Sequence, residues 1–135
     1  MIKKKITEAL TKIDDQINLA RRFLSENRID EALYFIWLAA ENLVNTLKIA
    51  INGFYVKDHR EKSLILKEYY VLGYLGKDYS KLFEKLAKLR IAAEFHPYTS
   101  IPKTYTKKEV LSYLKQIEEL RGEVIRYLKK RGLIK

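Results

Sequence analysis

Apolar residues recur at steps of three and four along most of the chain, and few residues break the pattern. From the start they fall at Ile6, Ala9, Ile13, Ile17, Ala20 and Leu24. Such spacing lays one apolar stripe along an α-helix. The 135 residues include only 5 Gly and 2 Pro, too little punctuation for the many short strands of a sandwich or barrel. With 47% hydrophobic residues there is enough apolar material for a core.

Read on this basis, the chain divides into helices. Asn27-Arg28 interrupts the first stripe, and Asp30 offers an N-cap for a second one running through Leu33, Ile36, Ala39 or Ala40, Leu43, Leu47 and Ala50. That face is wide, so the second helix is expected to be the most buried. Asn52-Gly53 ends it in the manner of a C-cap. His59 to Leu72 reads as a shorter helix, stopped by Gly73 to Gly76, and Asp78 or Ser80 caps the next. Its inward positions are Leu82, Phe83, Leu86, Leu89 and Ala93, and Pro97 ends it by disfavouring the α region at His96. Thr106 caps a last helix with the stripe Val110, Leu114, Ile117, Leu120 or Val124, and Leu128. Long helices joined by short loops predict an all-α fold: an antiparallel four-helix bundle with one additional short helix, forming a single domain over residues 1–135.

The absence of Cys excludes a disulfide scaffold, thiolate zinc and cysteine nucleophiles, and suits a reducing cytoplasm. The longest apolar run, Ala32 to Ala40, stops at Glu41, far short of a membrane span. A soluble, unprocessed cytoplasmic protein without membrane contact is expected. Against 17 acidic residues stand 27 Lys and Arg, a net charge of +10 that attracts phosphate polymers through counterion release. The cluster Arg126, Lys129, Lys130 and Arg131 is the candidate RNA-binding run, and a solvated helix end is the plainer reading of it.

Several chemistries are excluded by motif. No GxGxxG or GxxxxGK loop, no HExxH and no Glu-x-x-His pair occurs, so neither a phosphate-cradling loop nor a metal centre is expected, and no cofactor. What remains is Leu89-Arg90-Ile91-Ala92-Ala93-Glu94-Phe95-His96-Pro97-Tyr98. An imidazole at a helix C-terminus is a candidate acid or base near neutral pH, and a guanidinium is a permanent cation suited to a phosphoryl oxyanion. His59, in Lys57-Asp58-His59-Arg60, reads as a solvated loop residue. Glu41, among apolar residues of the second helix, needs a cationic partner, for which Arg90 is the expected supporting contact.

The pattern resembles the HEPN superfamily of small helical bundles, many of which carry Arg-x(4 to 6)-His at the end of the third long helix. Arg90 to His96 is an Arg-x5-His. Asp30 to Leu43 resembles the family's Ala-rich segment ending in Ala-Glu, and His96-Pro97-Tyr98 resembles the His-x-Tyr ending of HEPN toxins encoded beside minimal nucleotidyltransferases. The resemblance implies a metal-independent endoribonuclease acting as a homodimer, with Arg90 and His96 catalytic at the subunit interface. His96 would activate the ribose 2′-hydroxyl or protonate the leaving 5′-oxygen, and Arg90 would stabilise charge on phosphorus. It further implies a small nucleotidyltransferase antitoxin as partner, with Tyr98 as the acceptor of AMP; an ordinary loop aromatic packed on the bundle is the other reading of Tyr98. The chain departs from many active members in placing Ile91 after the Arg, and from the toxins in its five-residue spacer. Two alternatives therefore stay open: a non-catalytic HEPN nucleotide-binding or partner domain of a nucleotidyltransferase, and a helical protein-interaction module.

Overall fold

The computed structural model describes residues 2–135, which form five α-helices and no strand. They are α1 (Ile2–Ser25), α2 (Ile29–Asn52), α3 (His59–Val71), α4 (Ser80–Phe95) and α5 (Lys107–Lys130). The expected stripes are the buried faces. Ile13, Ala20, Leu33, Ile36, Leu43, Leu86, Val110, Val124 and Leu128 are fully inaccessible, and one apolar cluster draws on all five helices.

Helix α2 contacts every other helix, which explains its wide apolar face. Alanines at 32, 39 and 40 leave little volume between backbones, so neighbours approach it closely. A tight turn joins α1 to α2, with Asn27 in the left-handed region at φ 60°, a conformation that the short polar Asn side chain tolerates. The two helices pair antiparallel: Phe23 stacks on Phe35 near the turn, and Gln16 accepts a bond from Asn42 (3.0 Å) farther along both. At the other end Gly53, at φ 89°, closes α2 by donating its N–H to the Ile49 carbonyl, as a glycine C-cap does.

After Gly53 the chain doubles back along α2. The Val56 N–H donates to Asn45 Oδ1 (3.0 Å), and α3 begins with His59 edge-on to Trp37. Extended residues advance about 3.3 Å each, so this short connection retraces about 20 Å of α2 before the next helix starts. The route places the first turn of α3 beside the middle of α2 rather than at its end.

Local signals held at most helix ends and shifted at two. Thr106 caps α5 with a full capping box, its hydroxyl accepting from the Glu109 N–H while the Glu109 carboxylate accepts from the Thr106 N–H. His96 is extended (φ −60°, ψ 135°), so α4 stops immediately before Pro97; the His96-Pro97 peptide is cis. Asp30, by contrast, is not the cap of α2. Arg28 occupies that position without a side-chain capping bond, while the Asp30 carboxylate accepts from the Tyr105 hydroxyl and from Lys103 Nζ (2.9 Å). Asp30 therefore ties the loop before α5 to the start of α2. Tyr79 holds the cap position of α4, with Asp78 accepting from the Ser80 N–H (2.9 Å). α3 starts at His59, where the reading of His59 to Leu72 as a helix put it, so His59 is helical and not part of the loop; Asp58 is its N-cap, accepting from the Arg60 N–H (2.8 Å).

One ion pair lies deep in this arrangement. The Lys62 side chain is only 4% exposed and donates to Glu41 (2.8 Å), whose side chain is 25% exposed. Removing one partner of such a pair strands the other charge without compensation. Glu41→Ala is expected to cost about 3 kcal/mol in urea unfolding by leaving the Lys62 ammonium buried and unpaired. Combining it with Lys62→Met should recover part of that loss, and a double variant less stable than Glu41→Ala would show the pair to be unimportant.

Candidate functional site

Arg90 lies one turn before the end of α4, on the side facing α2 and α3. Its guanidinium sits over the Trp37 ring, with Cζ 5.1 Å from the centroid, and Nη1 approaches Glu94 Oε2 at 3.6 Å, one turn on. Trp37 is buried and packs against Phe83, 4.8 Å between ring centres. The Arg90 Nε is buried and has no hydrogen-bond partner. An unpaired buried N–H costs about 1–3 kcal/mol, so the arginine is held for its position rather than by its own bonds.

The expected pairing of Glu41 with Arg90 is not formed. Lys62 takes the Glu41 carboxylate, because the doubled-back connection brings α3 between that part of α2 and solvent. Arg90 is thereby left facing an open cleft of about 480 Å³ between α3 and α4, lined by His59, Arg60, Ser63, Leu64, Glu84, Ala87, Lys88, Arg90 and Ile91. Its walls are the apolar Leu64, Ala87 and Ile91, and its rim is cationic. Glu84 is engaged by the Ser63 hydroxyl (2.8 Å).

His59 is the site residue that sequence reasoning passed over. It stands on the same indole as Arg90, 6.4 Å between ring centres, and lines the same cleft. The Asp58 N-cap sets it one turn before the buried Lys62 and Ser63, while His59 itself stays exposed among the residues that line the cleft.

His96 and Tyr98 lie beyond the end of α4. The His96 N–H donates to the Ala92 carbonyl (3.1 Å) and its side chain is exposed. Tyr98 is 94% exposed, so the reading of it as an aromatic packed on the other helices fails. The structure thus brings Arg90 together with His59 around Trp37 and leaves His96 and Tyr98 outside that cleft.

The basic run near the C-terminus occupies a different place. Arg126, Lys130 and Arg131 line a groove of about 580 Å³ with Tyr74, Tyr127 and the turn Leu72-Gly73, at the far end of α3. Tyr127 meets Tyr74 edge-on at 5.6 Å and accepts a bond from Arg131 Nη1 (2.6 Å). Lys129 is exposed and does not line the groove. At the groove's edge Glu123 accepts from the Gly76 N–H and the Tyr79 hydroxyl, joining α5 to the turn before α4.

Among the described residues no three His, Cys, Asp or Glu side chains gather as they would around a metal ion, and no helix is long and apolar enough to cross a membrane. No protein-family model matches the chain, and a search of curated proteins finds no match to it.

Burial, reinforced by the bond to Glu123, raises the Tyr79 hydroxyl well above its ordinary value of 10; burial does the same for Tyr69 and Tyr105. The folded state thus favours the neutral phenol. This contribution to stability is complete below about pH 10 and is lost as pH rises beyond it, since only the unfolded chain then releases the proton. Urea unfolding at pH 9, 10 and 11 should show Tyr79→Phe losing less stability over that interval than the parent. An equal loss in both would exclude a contribution from this phenol.

Proposed function

We propose that the chain is a HEPN-type, metal-independent endoribonuclease that acts as a homodimer in the cytoplasm, regulated by a small nucleotidyltransferase. In this reading α1, α2, α4 and α5 form the antiparallel four-helix bundle of the family and α3 is the additional short helix. Trp37 facing Phe83, and Asp30 and Tyr34 lying beside Ala93 and Glu94, are consistent with α2 and α4 running in opposite directions. The observation that carries the reading is Arg90: a guanidinium set on an aromatic floor beside an open cleft, with a buried N–H unpaired, on the helix that ends at His96.

A guanidinium so fixed stabilises charge developing on a phosphorus oxygen without reorganising during the reaction. His96 moves the proton at the ribose or at the leaving oxygen, and the products are a 2′,3′-cyclic phosphate and a 5′-hydroxyl. Arg90 and His96 are six positions apart, about 9 Å along the helix and on different faces, so a second subunit completes each site. The exposure of Tyr98 suits an acceptor of AMP from the nucleotidyltransferase. The groove of Arg126, Lys130 and Arg131 gives the RNA backbone a cationic track, with Lys129 beside it.

The second reading is a HEPN partner domain that does not cut RNA. It is favoured by Ile91, which puts an apolar side chain in the cleft wall beside Arg90 where active relatives place a polar one.

RNA cleavage by the purified protein in EDTA, beside His96→Ala, tests the proposal. Cleavage should survive chelation and fall by about 100-fold or more in the variant. A folded, dimeric protein without AMP on Tyr98 that cuts no RNA would instead support the partner domain. RNA binding is tested separately by titration at several salt concentrations. Replacing Arg126, Lys130 and Arg131 together by Ala should lower the slope of log K against log salt by about 2. An unchanged slope would remove the groove from the RNA path.

A further inference from the structure

We infer that His59 and Arg90 form one anion site in the cleft between α3 and α4, that its ligand is a phosphodiester of RNA, and that His59 is a second proton-transfer residue there. The proton-transfer role rests on the nuclease reading above; the anion site does not.

The two groups share one support. Trp37 meets the His59 ring edge-on and carries the Arg90 guanidinium on its ring, and Phe83 packs against the same indole. The guanidinium then does not have to be ordered when a ligand arrives, which is the condition under which a charged donor is most effective. The buried Nε of Arg90 lacks a partner, and its contact to Glu94 is long at 3.6 Å. Arg60 and Lys88 line the same cleft, so cations outnumber the carboxylates beside it, Glu84 and Glu94, and Glu84 is already bonded by Ser63. A cleft with this charge balance fits an anion, and the apolar wall of Leu64, Ala87 and Ile91 fits the ribose or base attached to it. The guanidinium fork matches two oxygens of a phosphate.

An imidazole beside such a phosphate has a defined task. Neutral His59 takes the proton from the ribose 2′-hydroxyl as that oxygen forms its bond to phosphorus. The bond from phosphorus to the 5′-oxygen breaks, and the departing oxygen takes a proton from His96 in its protonated form. Afterwards His59 returns its proton to water and His96 regains one, so the reaction consumes none. Two imidazoles with opposite roles need not sit on the same side of the phosphorus, which agrees with His59 lining the cleft and His96 lying outside it.

The test has two readouts on the intact protein. In the first, inorganic phosphate is titrated while the imidazole signals of His59 and His96 and the Nε–H of Arg90 are followed by NMR. Phosphate should shift the His59 and Arg90 signals together, and Arg90→Gln should remove the His59 shift. If phosphate leaves His59 unmoved, the proposal is overturned whatever the protein does to RNA. In the second, cleavage in EDTA is compared between the parent, His59→Ala and His59→Gln, with helicity checked. Both variants should lose about 100-fold or more while remaining folded. Cleavage at the parental rate in either would overturn the proton-transfer role. A phosphate shift at His59 in a protein that cuts no RNA would uphold the anion site, and the proton-transfer role would fall with the nuclease reading.

Discussion

Helix α2 is packed on by all four other helices, so its buried polar groups need partners within the protein, and several find them on a neighbour. Those partners set the register of the molecule. Asn42 reaches Gln16 on α1, Asn45 takes the Val56 N–H of the returning connection, Glu41 pairs with Lys62, and Asn52 accepts from the Tyr69 hydroxyl. Asp30, at the other end, holds Tyr105 and Lys103 ahead of α5. Apolar packing alone is tolerant of small slides between helices; a polar group left unmatched in a low-dielectric interior is not. The apolar stripe therefore drives the helices together, while five polar residues on α2 set the register of α1, of α3 and of the segments leading into α3 and α5.

The cleft follows from the same constraint. Glu41–Lys62 and Asn52–Tyr69 fix α3 at two heights along α2, so its first residue is delivered to Trp37. Trp37 is the aromatic counterpart of the polar keys, joining α2 to α4 through Phe83 and Arg90 and to α3 through His59. Had Glu41 paired with Arg90, the guanidinium would have been neutralised and withdrawn. The use of Lys62 instead leaves Arg90 with only a long contact to Glu94 and its guanidinium beside the cleft.

The helices were legible in the sequence because their signals are local. Leu33, Leu43, Leu114 and Ile117 announce their faces by spacing alone, and Pro97 and the Thr106 capping box mark ends through effects that reach only a few residues. Contacts between elements were not legible. That Glu41 selects Lys62 over Arg90 depends on a connection whose path is set by one backbone bond to Asn45. The reading of His59 as solvated holds, since the residue is exposed, but its contact with an indole 22 positions earlier had no local signal. Arg90 stood out through the motif it makes with His96, six positions on, once other motifs were excluded. The basic run was visible as composition, whereas its pairing with Tyr74 across a groove needed the turn after α3 to be placed.

Cleft and groove stand at opposite ends of α3, whose 13 residues span about 20 Å. No single phosphodiester can touch both. Under the proposed function this separation divides the work: contacts made far from the reacting phosphorus are the same in the ground state and the transition state, and so govern binding. Contacts from Arg90 and His59 change as charge develops and govern the rate. The division also bears on the net charge of +10. Charge spread over the surface attracts any polyanion equally, but only the part of it at Arg90 is held by an aromatic floor, beside an imidazole, with a donor unpaired. Under the proposed function, chemical selectivity resides in how Trp37 is packed, and the number of lysines and arginines sets only how strongly RNA would be drawn to the protein.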